Sequence, residues 1–104
     1  MMYLQGRGVP RDLDQAFELF QKAAERGYAV AQNNLALMYA NGQATARDFT
    51  WAYAWLDLAA EQLPACAELR DRIGEEMTAE DLVRARGLSM RKLEEIAQRV
   101  RESK

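Results

Sequence analysis

The residue types that most often perform catalysis are nearly absent from this chain. It contains no histidine and a single cysteine, Cys66. Without histidine there is no Ser-His or Cys-His pair, and the commonest general base and zinc ligand are missing. Cys66 lies in an apolar stripe, where a thiol usually serves as a small buried hydrophobic group. We therefore predict no catalytic residue and, with one cysteine, no internal disulfide.

Two other groups of residues could bind an ion. The run Gly6-Arg7-Gly8 lacks the third glycine, the Lys-Ser/Thr pair and the preceding strand of a phosphate-binding loop, so a structural turn is favoured. Four acidic residues could hold a hard cation: Glu75, Glu76, Glu80 and Asp81. They lack the alternating spacing of a calcium loop, and acidic residues at a helix start suit the helix dipole. We predict neither a metal nor a cofactor.

The overall charge and hydropathy exclude several classes of protein. The chain has 104 residues, of which 49% are apolar and 29% charged, which is typical of one globular domain or part of one. A net charge of −2 does not provide the positive charge that nucleic acid binding requires, and no apolar run is long enough for membrane insertion. No signal peptide is visible, so the default location is cytoplasmic, whereas a start upstream of Met1 would allow a periplasmic or secreted protein.

The most informative pattern is a stretch that occurs twice, 36 positions apart. Met2-Tyr3-Leu4-Gln5-Gly6 returns as Met38-Tyr39-Ala40-Asn41-Gly42. Three further pairs keep the same spacing: Arg11-Asp12 with Arg47-Asp48, Ala16-Phe17 with Ala52-Tyr53, and Ala23-Ala24-Glu25 with Ala59-Ala60-Glu61. A repeat of this length built from helical segments predicts a stacked-repeat solenoid, in which each unit buries its apolar face against its neighbours.

Apolar residues at helical spacing predict the elements of each repeat. The first expected helix is Leu13–Arg26, with Asp12 as its N-cap and Gln15 at its third position. The second is Val30–Ala40. The third is Phe49–Gln62, with Asp48 as its N-cap. Gly27 is expected to end the first helix in the left-handed conformation. The short connections force antiparallel neighbours, so the repeating unit is a helix-turn-helix hairpin.

After residue 67 the repeat is lost, and a different arrangement is expected. Trp51 and Leu58 stand where the first copy has Gln15 and Lys22, which gives this helix a second apolar stripe. We predict that both are covered by a cap made of a helix at Ala65–Glu76 and a long helix that starts at Thr78 and continues through Gly87. The expected apolar seam of the long helix is Leu82, Leu93, Ile96 and Val100, and its many basic residues are expected to form a solvated face with i,i+4 pairs.

The run from Ala31 to Gly42, followed by Arg47-Asp48, Ala52 and Trp55, resembles a Sel-one-like repeat, a branch of the tetratricopeptide superfamily. The resemblance covers roughly residues 2–67 and implies an all-α, right-handed α-solenoid with a C-terminal helical cap. Residues 1–27 are then the second half of a first repeat, 28–63 a complete repeat and 64–104 the capping helices. The residues expected to maintain the repeat are Tyr3, Gly6, Gly8, Asp12, Ala16, Ala23, Ala24, Gly27, Leu35, Tyr39, Gly42, Asp48, Ala52, Trp55, Ala59 and Ala60. One departure concerns the loop, where Gly8 of the first copy is Ala44 in the second.

The resemblance also implies a function, which is non-catalytic scaffolding between proteins, in a bacterial setting. In tetratricopeptide-like stacks the first helix of each unit lines the concave face. The residues there that lie off the core are Leu4, Gln5, Val30, Asn33, Leu37, Ala40, Asn41 and Leu69, with Cys66 beside them. Apolar side chains rimmed by amides suit a bound peptide or protein partner. The alternative is that the cap or tighter helix packing covers this strip.

Two other functions stay open at this stage. The chain could act mainly as a self-association module that forms a homodimer, through Met1–Gln5 or through the helix containing Leu82–Val100. Some cysteine-rich secreted members of the family are linked to β-lactam binding, which would make the protein a small-molecule binder or hydrolase. Those members depend on regular disulfide pairs, and the single cysteine argues against close kinship.

Overall fold

The computed structural model describes residues 9–102, with side chains from residue 12 onward, and within this range it contains five helices and no strand. They are α1 (Val9–Ala24), α2 (Ala29–Asn41), α3 (Phe49–Ala59), α4 (Ala65–Glu75) and α5 (Ala79–Glu102). Helix α2 packs against both α1 and α3, and α3 packs against α4. The successive contacts are those of an all-α stack of helical hairpins.

The ends of these helices follow from a few residues. Gly27 and Gly42 have φ values of 96° and 69°, the left-handed region that ends a helix at low cost for glycine. Asp48 is the N-cap of α3, as predicted, and its Oδ1 accepts a hydrogen bond from the Trp51 N–H at 3.1 Å.

The predicted start of the first helix was wrong. Because α1 begins at Val9, Asp12 lies inside its first turn and is not its N-cap. Pro10 explains the longer helix, since its fixed φ is helical and its missing N–H has no partner in a first turn anyway. Asp12 still places negative charge at the positive end of the helix dipole.

Helix α3 is the centre of the molecule, because α2, α4 and α5 all pack against it. Its Trp55 and Leu56 are at most 1% exposed. Leu58 is 8% exposed and Trp51 is half-buried, so the predicted second apolar stripe is indeed covered. The aromatic ring of Trp51 stacks on two others. The ring centroids are 6.1 Å apart for Trp51 and Trp55, and 6.3 Å apart for Trp51 and Tyr39 of α2.

Helix α5 forms the cover and runs unbroken through Gly87. Its buried residues are Ala85, Ser89 and Ile96, whereas Leu93 and Val100 of the predicted seam are 47% and 42% exposed. The predicted seam was therefore wrong at those two positions. Small side chains at 85 and 89 let α5 approach α3 closely, and in this orientation Leu93 and Val100 lie at the edge of the contact.

The basic side of α5 is not wholly solvated, contrary to the prediction. Lys92 is mostly buried, and its Nζ lies 3.2 Å from Glu25 Oε2 and 5.9 and 5.8 Å from the ring centroids of Trp51 and Trp55. Arg99 Nη1 lies 3.5 Å from Glu25 Oε1. These contacts tie α5 to the end of α1, so α5 crosses α3 toward the connection between α1 and α2.

Candidate functional site

The predicted strip lies on α2 and α4, the first helices of successive hairpins. The two helices meet where Cys66 Sγ donates a hydrogen bond to Asn33 Oδ1 at 3.4 Å. Pro64 is the N-cap of α4, and the buried residues of this helix are Cys66 and Ile73. The contact leaves the amide N–H groups of Asn33 without a partner among the described residues, where they can donate to a ligand's carbonyl.

The strip residues differ in how open they are. Val30 is 63% exposed and Asn41 is also exposed. Leu37 is half-buried and is not part of the packed core, whereas Ala40 and Leu69 are half-buried against that core. Leu4 and Gln5 lie outside the described residues. The structure thus brings Asn33 and Cys66 together, leaves Val30 exposed and Leu37 partly exposed, and gives Leu69 and Ala40 a packing role as well.

The chemistry available at this surface is that of binding. Burial raises the pKa of the Cys66 thiol, so less of it is thiolate at neutral pH. Among residues 12–102 there is no group of three or more acidic or cysteine side chains that could hold a metal ion. No helix in the described part of the chain is long and apolar enough to cross a membrane.

The residues predicted to maintain the repeat are distributed between the core and the turns. Five of them are buried: Ala24, Leu35, Ala52, Trp55 and Ala59. Half-buried positions are Asp12, Ala16, Ala23, Tyr39, Asp48 and Ala60, and the turn positions are Gly27 and Gly42. Tyr3, Gly6 and Gly8 lie outside the described residues. The buried alanines allow α1, α2 and α3 to approach one another closely.

Sequence reasoning missed a polar network that joins the last three helices. Asp57 on α3 accepts hydrogen bonds from Arg70 Nη1 on α4 at 2.8 Å and from Ser89 Oγ on α5 at 2.9 Å. Burial lowers the pKa of the Arg70 guanidinium, but its bonds to Asp71 and Asp57 outweigh burial and leave that pKa above its ordinary value. No local pattern identifies this network, because its members are far apart in the sequence.

It also missed a set of residues around the end of α5. Arg26, Tyr28, Arg99 and Val100 line a cavity of about 410 Å³ between the α1–α2 connection and α5. The sequence signal for this cavity is Tyr28, an aromatic residue next to Gly27 at the end of α1. That signal does not indicate which helix forms the opposite wall.

Comparisons with known proteins identify a repeat family and a structural neighbour. The family model described as Sel1 repeat matches residues 1–28 and 29–62. The crystal structure of a protective antigen present in uropathogenic Escherichia coli strains, which displays an SLR fold, is 36% identical to this chain with a TM-score of 0.81. The match covers 92% of this chain and 21% of that protein, so the chain spans about a fifth of its length. Among curated proteins, none is significantly similar to this chain.

Proposed function

Because this chain belongs to the Sel1 repeat family, whose members generally mediate protein interactions, we propose that it is a non-catalytic scaffold that binds a protein or peptide on the α2–α4 strip. The strip is defined as Leu4, Gln5, Val30, Asn33, Leu37, Ala40, Asn41 and Leu69. The all-α solenoid of helical repeats and the SLR fold of its structural neighbour are consistent with such a scaffold.

The partial exposure of Leu37, outside the packed core, is the observation that supports this use of the strip. Leu37 is half-buried but stands outside the packed core, and Val30, two turns away on the same face of α2, is 63% exposed. The main contact of α5 is with α3 and not with α2. An apolar strip with amides at its edge offers both the hydrophobic contact and the main-chain hydrogen bonds that an extended or helical peptide needs.

The surroundings of Cys66 favour a binding role for the protein over a catalytic one. Its thiol hydrogen is engaged by the neutral amide of Asn33, and burial disfavours the thiolate. A nucleophilic cysteine needs a nearby base or positive charge that lowers its pKa. The environment found here has the opposite effect.

The test is site-specific photo-crosslinking followed by charge substitution. A photoreactive amino acid at position 37 should trap a partner in the source cells, and the same group at Leu19, which is 65% exposed on α1, should not. The captured partner should then bind the purified Leu37→Asp variant at least tenfold more weakly and the Leu19→Asp variant normally. Equal binding to both variants, with unchanged unfolding free energies, would exclude the strip as the binding surface.

A further inference from the structure

We propose that the chain has a second docking site, a groove beside α5 that binds an acidic peptide segment of a protein partner. Three adjoining cavities of about 460, 250 and 410 Å³ form this α5 groove. The first and second share Leu58, Glu61 and Leu93, and the second and third share Arg26 and Val100. From Met90 to Val100 the groove follows about 15 Å of helix, enough for a helical peptide of about ten residues.

One wall of the groove is apolar and open to solvent. Met90 is 66% exposed, Leu93 47% and Val100 42%, which places three large apolar side chains on one flank of α5. On the opposite side, Ala60 and Ala67 are small and leave room for side chains of a ligand. Surface apolar residues scattered singly need no explanation, but a row of them beside a groove marks a contact surface.

The charge of the groove changes from positive at one end to more negative at the other, and this change favours an acidic ligand at the positive end. At the end near the α1–α2 connection, Arg26 is exposed and has no ion-pair partner among the described residues, and Arg99 is 54% exposed. The cavity of about 410 Å³ at this end is lined by the cations Arg26 and Arg99 and by no carboxylate, although Glu25 Oε1 lies 3.5 Å from Arg99 Nη1. A carboxylate on a ligand can receive charge-assisted hydrogen bonds from these guanidinium groups.

The far end has the opposite character. Arg70 is already held by Asp57 and Asp71, at 2.8 and 3.1 Å, and Glu61 beside it is exposed. A ligand carboxylate is therefore favoured in the cavity lined by Arg26 and Arg99 and repelled in the cavity lined by Asp57 and Glu61. This asymmetry orients a bound segment with its acidic residue at Arg26 and its apolar residues against Leu93 and Met90.

An unsatisfied acceptor lies beneath the middle of the groove. Gln32 is 3% exposed and donates through Nε2 to the Ala24 carbonyl at 3.1 Å, but its Oε1 has no hydrogen-bond partner among the described residues. Because that oxygen is itself inaccessible to solvent, it lies beneath the groove and does not contact a segment bound on the surface. A peptide supplies a carboxylate together with apolar side chains, whereas the chain's net charge of −2 disfavours nucleic acid.

The α5 groove goes beyond the proposed function, because it shares no residue with the α2–α4 strip. A random 12-residue peptide library displayed on phage and selected against the whole chain is the probe. Selected peptides should carry an acidic residue together with apolar ones. Measured by fluorescence polarisation, they should bind Arg26→Glu at least tenfold more weakly than the parent chain, and the loss should shrink as salt is raised.

The matched control is Arg91→Glu, since Arg91 is an exposed arginine on α5 that does not line the groove and has no ion pair in the described part of the chain. That variant should change binding less than twofold. Met90→Asp should also weaken binding at least fivefold, which tests the apolar wall independently of charge.

Several results would overturn the proposal. A library that yields no binder, peptides without acidic residues, or equal loss in Arg26→Glu and Arg91→Glu would each do so. Peptides that fail to bind Leu37→Asp yet still bind Arg26→Glu would occupy the α2–α4 strip, which supports the proposed function and rejects the groove. Dimerisation of the parent chain that is lost in Arg26→Glu would identify the occupant as a second copy instead.

Discussion

Ala44, in the loop between α2 and α3, holds a backbone conformation that glycine adopts at lower cost. Its φ is 65°, and no other non-glycine residue among those described has a positive φ. The left-handed region costs a residue with a Cβ roughly 1 kcal/mol relative to glycine. The first copy of the repeat has Gly8 at the corresponding position. The loop of the second copy therefore has, at Ala44, the left-handed conformation that suits glycine, although the residue there is alanine.

We predict that Ala44→Gly leaves the free energy of unfolding unchanged or raises it by up to about 1 kcal/mol, as measured by urea denaturation. Relief of the φ strain is partly offset by the greater freedom of glycine in the unfolded chain. The control is Ala46→Gly, an exposed loop position without a positive φ, which should lower the free energy of unfolding. If Ala44→Gly destabilises as much as Ala46→Gly, the left-handed conformation carries no strain.

Cys66 should react slowly with a thiol reagent in the folded protein. Burial raises its pKa from the ordinary value of 9.0, so at pH 8 a smaller fraction is the reactive thiolate. We expect a rate with Ellman's reagent at least tenfold below that of the urea-unfolded chain. The same shift makes the folded state lose stability as pH rises above the pKa of the unfolded thiol. A native rate equal to the unfolded one would show that the thiol is open to solvent.

At the scale of elements, the position of α5 depends on Lys92. This one ammonium group contacts Glu25 at the end of α1 and lies over both tryptophans of α3. Burial raises the pKa of the Glu25 carboxyl, but the hydrogen bonds from Lys92 and Gln21 and the charges of Lys92 and Arg99 outweigh it and leave that pKa below its ordinary value of 4.5. A lowered carboxyl pKa adds stability above pH 4.5 that is lost as pH falls through the folded-state pKa.

We predict that Lys92→Met lowers the free energy of unfolding by about 1 kcal/mol at pH 7, the range of a partly buried charged hydrogen bond. The deficit should shrink below pH 4.5, and what remains there measures the lost contact between the ammonium and the tryptophan rings. The control is Lys22→Met, since Lys22 is exposed and has no ion pair among the described residues. A deficit that does not change with pH would mean that Glu25 is not coupled to Lys92.

At the scale of the whole molecule, α5 docks as a cover over α3 and over the end of α1. Ile96 is 9% exposed, and its Cγ2 would lie 3.2 Å from a Cβ placed on Gly27, so the α1–α2 connection and α5 are in close contact. Gln62 extends this contact across the turns by donating to the Gly27 carbonyl at 3.3 Å. A charge at position 96 would be buried in this contact and strongly unfavourable.

We predict that Ile96→Asp lowers the free energy of unfolding by about 3 kcal/mol and removes hydrogen-exchange protection from the second half of α5. Near-ultraviolet circular dichroism should also weaken, since Trp51 loses part of its cover. The control is Val83→Asp on the same helix, where the side chain is 72% exposed and the change should be small. Normal protection of residues 90–102 in Ile96→Asp would show that α5 is held in place without this contact.

The sequence by itself determined the repeat, the helices and their stacking, because the spacing of apolar residues and of glycines is a local property of the chain. The same local logic identified the cap of α3 at Asp48 and the covered stripe at Trp51 and Leu58. The residues of the α2–α4 strip were also assigned from repeat geometry alone, and their use in binding stays a prediction.

Only the tertiary structure decided how α5 is rotated and what lies beside it. The apolar periodicity of α5 predicted a seam of Leu82, Leu93, Ile96 and Val100, whereas the buried residues are Ala85, Ser89 and Ile96. The fit of Ala85 and Ser89 against α3 made the choice, and it buried Lys92 and left Leu93 and Val100 at the edge. The α5 groove follows from that rotation, because it places Arg26 and Arg99, 73 positions apart in the sequence, around one cavity.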